Sequence, residues 1–126
     1  MFLKKLANSY NFVMRIFMAF VFGWFGISEI FDPKYWSGYV PQTATSLLPI
    51  SLYTFVQIHG IILALLALCL MFRFYLRYTG IISLLMLLSI IGGLIAINGF
   101  DEIVVRDIGL FGLALSIWLY EIHTKN

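Results

Sequence analysis

The sequence predicts an all-α, polytopic membrane protein: a bundle of four transmembrane helices with both termini in the cytoplasm. Three observations predict it. Of the 126 residues, 62% are hydrophobic and only 11% are charged, where a soluble domain carries about 45–50% apolar and about 25% charged residues. So little charge cannot cover the surface of a water-soluble globule. Four apolar stretches approach the roughly 20 residues that a helix needs to cross a hydrocarbon core about 30 Å thick. The basic residues, finally, gather at one set of alternate ends of those stretches.

The first span runs from about Asn11 to Phe31 and carries Arg15 and Glu29 near its ends. Only 13 residues separate the two charges, a rise of about 20 Å, so a crossing helix holds charge at or inside the hydrocarbon edge. Lys4 and Lys5 could form the basic region of a signal peptide. No A-x-A-like site follows, however, and Glu29-Ile-Phe-Asp-Pro33 is poor cleavage chemistry, so an uncleaved span is expected. The second span, residues 50 to 72, and the third, residues 79 to 100, contain no Asp, Glu, Lys or Arg. Between them Arg73-Phe-Tyr-Leu-Arg77 reads as a tight basic turn. The fourth runs from about Ile103 to Ile122, with a charge-free stretch of 13 residues from Ile108 to Tyr120. All 126 residues are expected to form one membrane domain.

Four crossings place Lys4, Lys5, Arg15, Arg73, Arg77 and Lys125 on one side with Glu121 as the only acid, a net +5. The other side sets Lys34 and Arg106 against Glu29, Asp32, Asp101, Glu102 and Asp107, a net −3. Lys and Arg concentrate in cytoplasmic segments, so the first side is expected inside and the protein in a plasma (inner) membrane. The basic residues form no patch with interleaved aromatics, which argues against nucleic acid.

One loop of any size remains, residues 32–49 on the outer side. It holds all three prolines (Pro33, Pro41, Pro49) and the run Tyr35-Trp36-Ser37-Gly38-Tyr39. The prolines argue against a regular helix through its middle. The aromatics suit the headgroup layer or a lid over an outer pocket. Small residues form stripes suited to helix packing: Ala19, Gly23 and Gly26 in the first span; Ser89, Gly92, Gly93 and Ala96 in the third; Gly109, Gly112 and Ser116 in the fourth.

Ionisable groups within a membrane face inward, pair or serve a function. Arg15 is expected to snorkel to the cytoplasmic headgroups. Glu29 has less reach. Arg106 and Asp107 enter the fourth helix at the same level, with Asn98 nearby, so Glu29 is expected to pair with Arg106 beneath the aromatic loop. That cluster either closes the bundle or lines a ligand or proton pocket. His59, about nine residues into the second span and roughly 13 Å deep, is either a hydrogen-bonded packing residue or a partner for a ligand carbonyl. His59 and His123 lie at different depths and cannot share a metal. No metal cluster, Ser-His-Asp set, phosphate loop or nucleotide motif is visible, so no metal is expected. Cys69, alone in an apolar run, reads as a small buried hydrophobe.

With these residues placed, the chain resembles the DoxX family of small four-helix membrane proteins. The resemblance covers nearly the whole length. It rests on Arg15 followed by Gly23-Trp-Phe-Gly26-Ile-Ser-Glu29, on Asp-Pro33, Trp36 and Pro41, and most distinctively on Arg106-Asp107-Ile-Gly109-Leu-Phe-Gly112-Leu-Ala114-Leu. It implies a role like that of subunits of quinone-coupled oxidation, redox defence or membrane-protein assembly, with quinone as the cofactor to consider. The absence of a cysteine pair counts against a disulfide-handling role.

The function expected is an accessory or scaffold protein, more a partner than an enzyme on its own. Its outer pocket, built from Glu29, Trp36, His59, Asn98, Arg106 and Asp107, would hold a quinone-like or lipid-like molecule. The expected partners are the bilayer and either another membrane protein or a second copy. The alternatives are a proton-coupled exporter resembling small multidrug transporters, against which Glu29 lies far from the midplane, and a subunit of a quinone-linked oxidoreductase.

Overall fold

A computed structural model describes residues 1–41, 46 and 49–124; residues 42–45, 47 and 48 of the predicted loop, and Lys125, lie outside them. The described residues form α1 (Phe2–Asn8), α2 (Tyr10–Phe31), α3 (Pro33–Ser37), α4 (Leu52–Phe72), α5 (Leu76–Asn98) and α6 (Glu102–Thr124). The helices α2, α4, α5 and α6 are each long and apolar enough to cross a membrane. The chain is a multi-pass membrane protein.

The spans match those read from the sequence to within a few residues, and each departure has a local cause. Ser51 opens α4 by accepting a hydrogen bond on Oγ from the Thr54 N–H at 3.2 Å, which satisfies one of the unpaired donors of the first turn. The basic turn is shorter than expected. Arg73 and Tyr75 both adopt left-handed backbone, φ 62° and 48°, so the chain reverses within three residues and α5 already begins at Leu76, taking Arg77 into the helix. Gly99 ends α5 at φ 73°, where a side chain would be strained. Asp101 Oδ1 then accepts from the N–H groups of Ile103 and Val104, both at 3.1 Å, and caps α6.

Two short helices were not anticipated. α1 precedes the first span. In the loop, Pro33 occupies the first turn of α3, where its missing N–H costs nothing and its fixed φ suits a helix. The helix ends at Ser37, before Pro41 and the middle of the loop, where the prolines were expected to argue against one.

The four spans are not evenly packed. α2 lies against α4, and α5 against α6, while contact between the two pairs is sparser. The α2–α4 crossing is set by two glycines. A Cβ on Gly26 would lie 2.7 Å from the Gly60 carbonyl oxygen, and one on Gly60 would lie 2.7 Å from that of Gly26 and 2.9 Å from Glu29 Cβ. No other residue permits so close an approach. In the second pair, a Cβ on Gly80 would lie 2.9 Å from the Trp118 side chain. Met18, Phe22, Leu63, Leu70, Leu87, Ala114 and Ile117 draw all four spans into one buried core. Most other large apolar side chains of the spans point outward, as helices in lipid require.

The predicted stripes divide accordingly. Gly26 packs as expected. In the third and fourth spans, Gly92, Gly109 and Gly112 have no heavy atom within 4 Å of a would-be Cβ and face outward, whereas a Cβ on Gly93 would lie 3.4 Å from Pro41.

Candidate functional site

A cavity of about 410 Å³ opens between the two helix pairs at the α3 end, within the range of small-molecule sites, roughly 300–1,000 Å³. Its walls are mostly apolar, with Phe22, Leu63, Leu87, Leu94 and Leu110 among them. Into this lining project Glu29 from α2, His59 from α4, and Arg106 and Asp107 from α6. Five of the six residues expected at an outer pocket therefore line one space: Glu29, Trp36, His59, Arg106 and Asp107. Asn98 does not. It lies exposed at the last position of α5, one residue before Gly99 turns the chain away.

The pairing within the cluster differs from the expectation. Glu29 contacts His59, with 2.6 Å between Oε1 and Nδ1, rather than Arg106. The cause is the Gly26–Gly60 crossing, which presses α4 onto α2 one turn from Glu29, whereas the cavity separates α2 from α6. With Glu29 ionised, the His59 Nδ1–H donates to it. Glu29 is buried, and the His59 side chain is 21% exposed, toward the cavity. Gln57, on the neighbouring face of α4, donates from Nε2 to the Ile30 carbonyl at 3.1 Å, satisfying an orphan acceptor in the last turn of α2.

Arg106 instead turns to its neighbour. Its Nε and Nη2 both lie 3.3 Å from Asp107 Oδ1, and its guanidinium sits 5.6 Å from the centroid of Phe25, in cation–π range. Asp107 is buried, while the Arg106 side chain is more than half exposed.

α3 contributes Tyr35 and Trp36 to the cavity wall. Trp36 donates from Nε1 to Ser28 Oγ at 2.8 Å and stands edge-on to Phe25 at 5.4 Å and Tyr35 at 5.0 Å. Tyr39 follows at 5.6 Å from Trp36. The Tyr39 phenol is pushed above its usual value, first by its side-chain hydrogen bond with Tyr35 and then by the charge of that neighbour. It therefore stays neutral in the physiological range and adds surface without charge. The aromatic run forms part of the cavity wall and is tied to α2 through Trp36.

A second buried polar cluster lies at the opposite end. Arg15 does not snorkel outward. It is 4% exposed and donates from Nε to Asn11 Oδ1 at 3.1 Å and from Nη1 to the Leu70 carbonyl at 2.8 Å. Glu121 is fully buried, with Arg73 Nη2 3.9 Å away. Tyr10 and Tyr120 meet edge-on at 5.4 Å nearby. The four-residue spacing of Asn11 and Arg15, which puts them on one helix face, was the available signal. The reach of Arg15 to a carbonyl 55 residues on had none.

Cys69 is half-buried rather than fully enclosed. Among the described residues, no three His, Cys, Asp or Glu side chains gather to hold a metal ion. Comparison with family models, curated proteins and solved structures finds no match. The site's meaning must be drawn from its own chemistry.

Proposed function

We propose that this chain is a small accessory or scaffold protein of the plasma (inner) membrane, DoxX-like in kind, that holds a lipid-like or quinone-like molecule in the cavity beneath α3. One observation carries the reading: a largely apolar space of about 410 Å³ contains ionisable side chains from three different helices. Charges within membrane spans are retained for pairing or for function. Glu29 and His59 pair across the wall of an open space rather than inside packed protein, where a structural pair would exclude the solvent or ligand that this one faces. Apolar walls take a hydrophobic body, and the polar groups at one end fix its head.

The charge bias supports an orientation with Arg73 and both termini inside and α3 outside. The cavity then opens at the outer leaflet, where a lipid-soluble molecule enters sideways from the bilayer. The molecule so held is presented to a partner, whether another membrane protein or a second copy.

Native mass spectrometry of the protein released from its own membrane tests this reading. The wild-type chain is expected to carry a bound amphipathic molecule, and Ile90→Trp, which fills the cavity from α5, is expected to lose it while remaining folded. Retention of the same mass by the filled variant would contradict the assignment.

A further inference from the structure

Resting on that reading of the cavity, we infer that it selects an organic cation: an amphiphile whose polar end is an ammonium, phosphonium or similar group. The wall carries two buried carboxylates, Glu29 and Asp107, and one guanidinium, Arg106. Asp107 has that guanidinium beside it, whereas Glu29 has only the His59 imidazole, 2.6 Å away. A buried carboxylate with no permanent cation beside it is costly in apolar surroundings, and a cationic guest offsets that cost.

Arg106 does not reverse this balance. Both of its contacting nitrogens face Asp107 Oδ1 at 3.3 Å, and its side chain is 55% exposed. Asp107 neutralises it. Glu29 has only an imidazole.

The aromatic run gives the second, independent argument. Phe25, Tyr35, Trp36 and Tyr39 line the same space, with the other three ring centroids 5.0–5.6 Å from that of Trp36. Ring faces attract a cation within about 6 Å and give nothing comparable to an anion. One cation already uses this surface, since the Arg106 guanidinium lies 5.6 Å from the Phe25 centroid. A carboxylate at the base and uncharged aromatics above form a site for a bulky, weakly hydrated positive group. An anionic head would meet Glu29 and Asp107 together.

Equilibrium binding of tetraphenylphosphonium and of tetraphenylborate, near-isosteric ions of opposite sign, to purified protein in non-ionic detergent decides the point. The wild-type chain is expected to bind the phosphonium saturably, one per chain, and the borate without saturation. Glu29→Gln is expected to weaken phosphonium binding about tenfold or more, with Glu29→Asp retaining part of it. Because the two ions are compared on the wild-type chain, the result does not depend on a variant folding. Equal or tighter saturable binding of the borate overturns the inference. So does phosphonium binding that is unchanged in both Glu29→Gln and Asp107→Asn. If the native mass survives in wild type and vanishes in Ile90→Trp while the phosphonium does not bind, the cavity reading stands and the cation inference falls.

Discussion

At the scale of single residues, an ionisable group inside a span is retained only where it pairs or serves a function. Glu29, His59, Arg106 and Asp107 could be picked out by composition alone, and they converge on one cavity. Their partners could not be. Whether Glu29 meets Arg106 or His59 depends on how closely α2 approaches α4, a tertiary fact decided at Gly26 and Gly60. Double-mutant cycles separate the two pairings. Glu29→Gln with His59→Phe is expected to show a coupling of about 0.6–1.7 kcal/mol in thermal unfolding, as side-chain bonds within membranes do, and Glu29→Gln with Arg106→Gln to be additive within about 0.5 kcal/mol. Arg15 is the residue the sequence misled on. A long stem near a helix end suggests snorkelling, yet the Leu70 carbonyl and Asn11 hold it inside. Arg15→Leu should therefore destabilise the fold by about 1.5–3 kcal/mol, the worth of hydrogen bonds to a charged group. Arg15→Lys should recover only part of this, since an ammonium lacks the fork that reaches both acceptors.

The helices themselves were legible to within a few residues, because span length follows from hydrocarbon thickness and composition. Their exact ends were not. Left-handed residues at Arg73 and Tyr75 start α5 three residues early, and a proline in the first turn of α3 begins a helix where prolines usually argue against one. Small-residue stripes were the weakest guide, since spacing shows that a face is smooth but not what it meets. Gly60→Ala would place a methyl 2.7 Å from a backbone oxygen of α2 and is expected to cost about 1–3 kcal/mol through overpacking. Gly112→Ala, with open space around it, should leave stability within about 0.5 kcal/mol or raise it slightly, alanine being the better helix former. Unfolding of both variants in one detergent checks the pair. Equal losses would mean that the fourth-span stripe packs after all.

For the molecule as a whole, two tightly packed helix pairs meet along a looser seam, closed by a common core toward the Arg73 end and open beneath α3. Composition predicted the membrane class and the count of spans, but nothing in the sequence announced the seam, because it arises from unequal helix approach rather than from any residue type. The function proposed depends on that seam being an open chamber within the membrane. Reaction of single cysteines with a water-soluble methanethiosulfonate, in protein reconstituted into nanodiscs with Cys69 replaced by serine, tests this most directly. Gly93 lines the cavity, while Ile95, nearer the end of the same helix, faces outward. Gly93→Cys is expected to react markedly faster than Ile95→Cys despite lying deeper. If Gly93→Cys reacts more slowly, or the two are equally inert, there is no such chamber between the pairs.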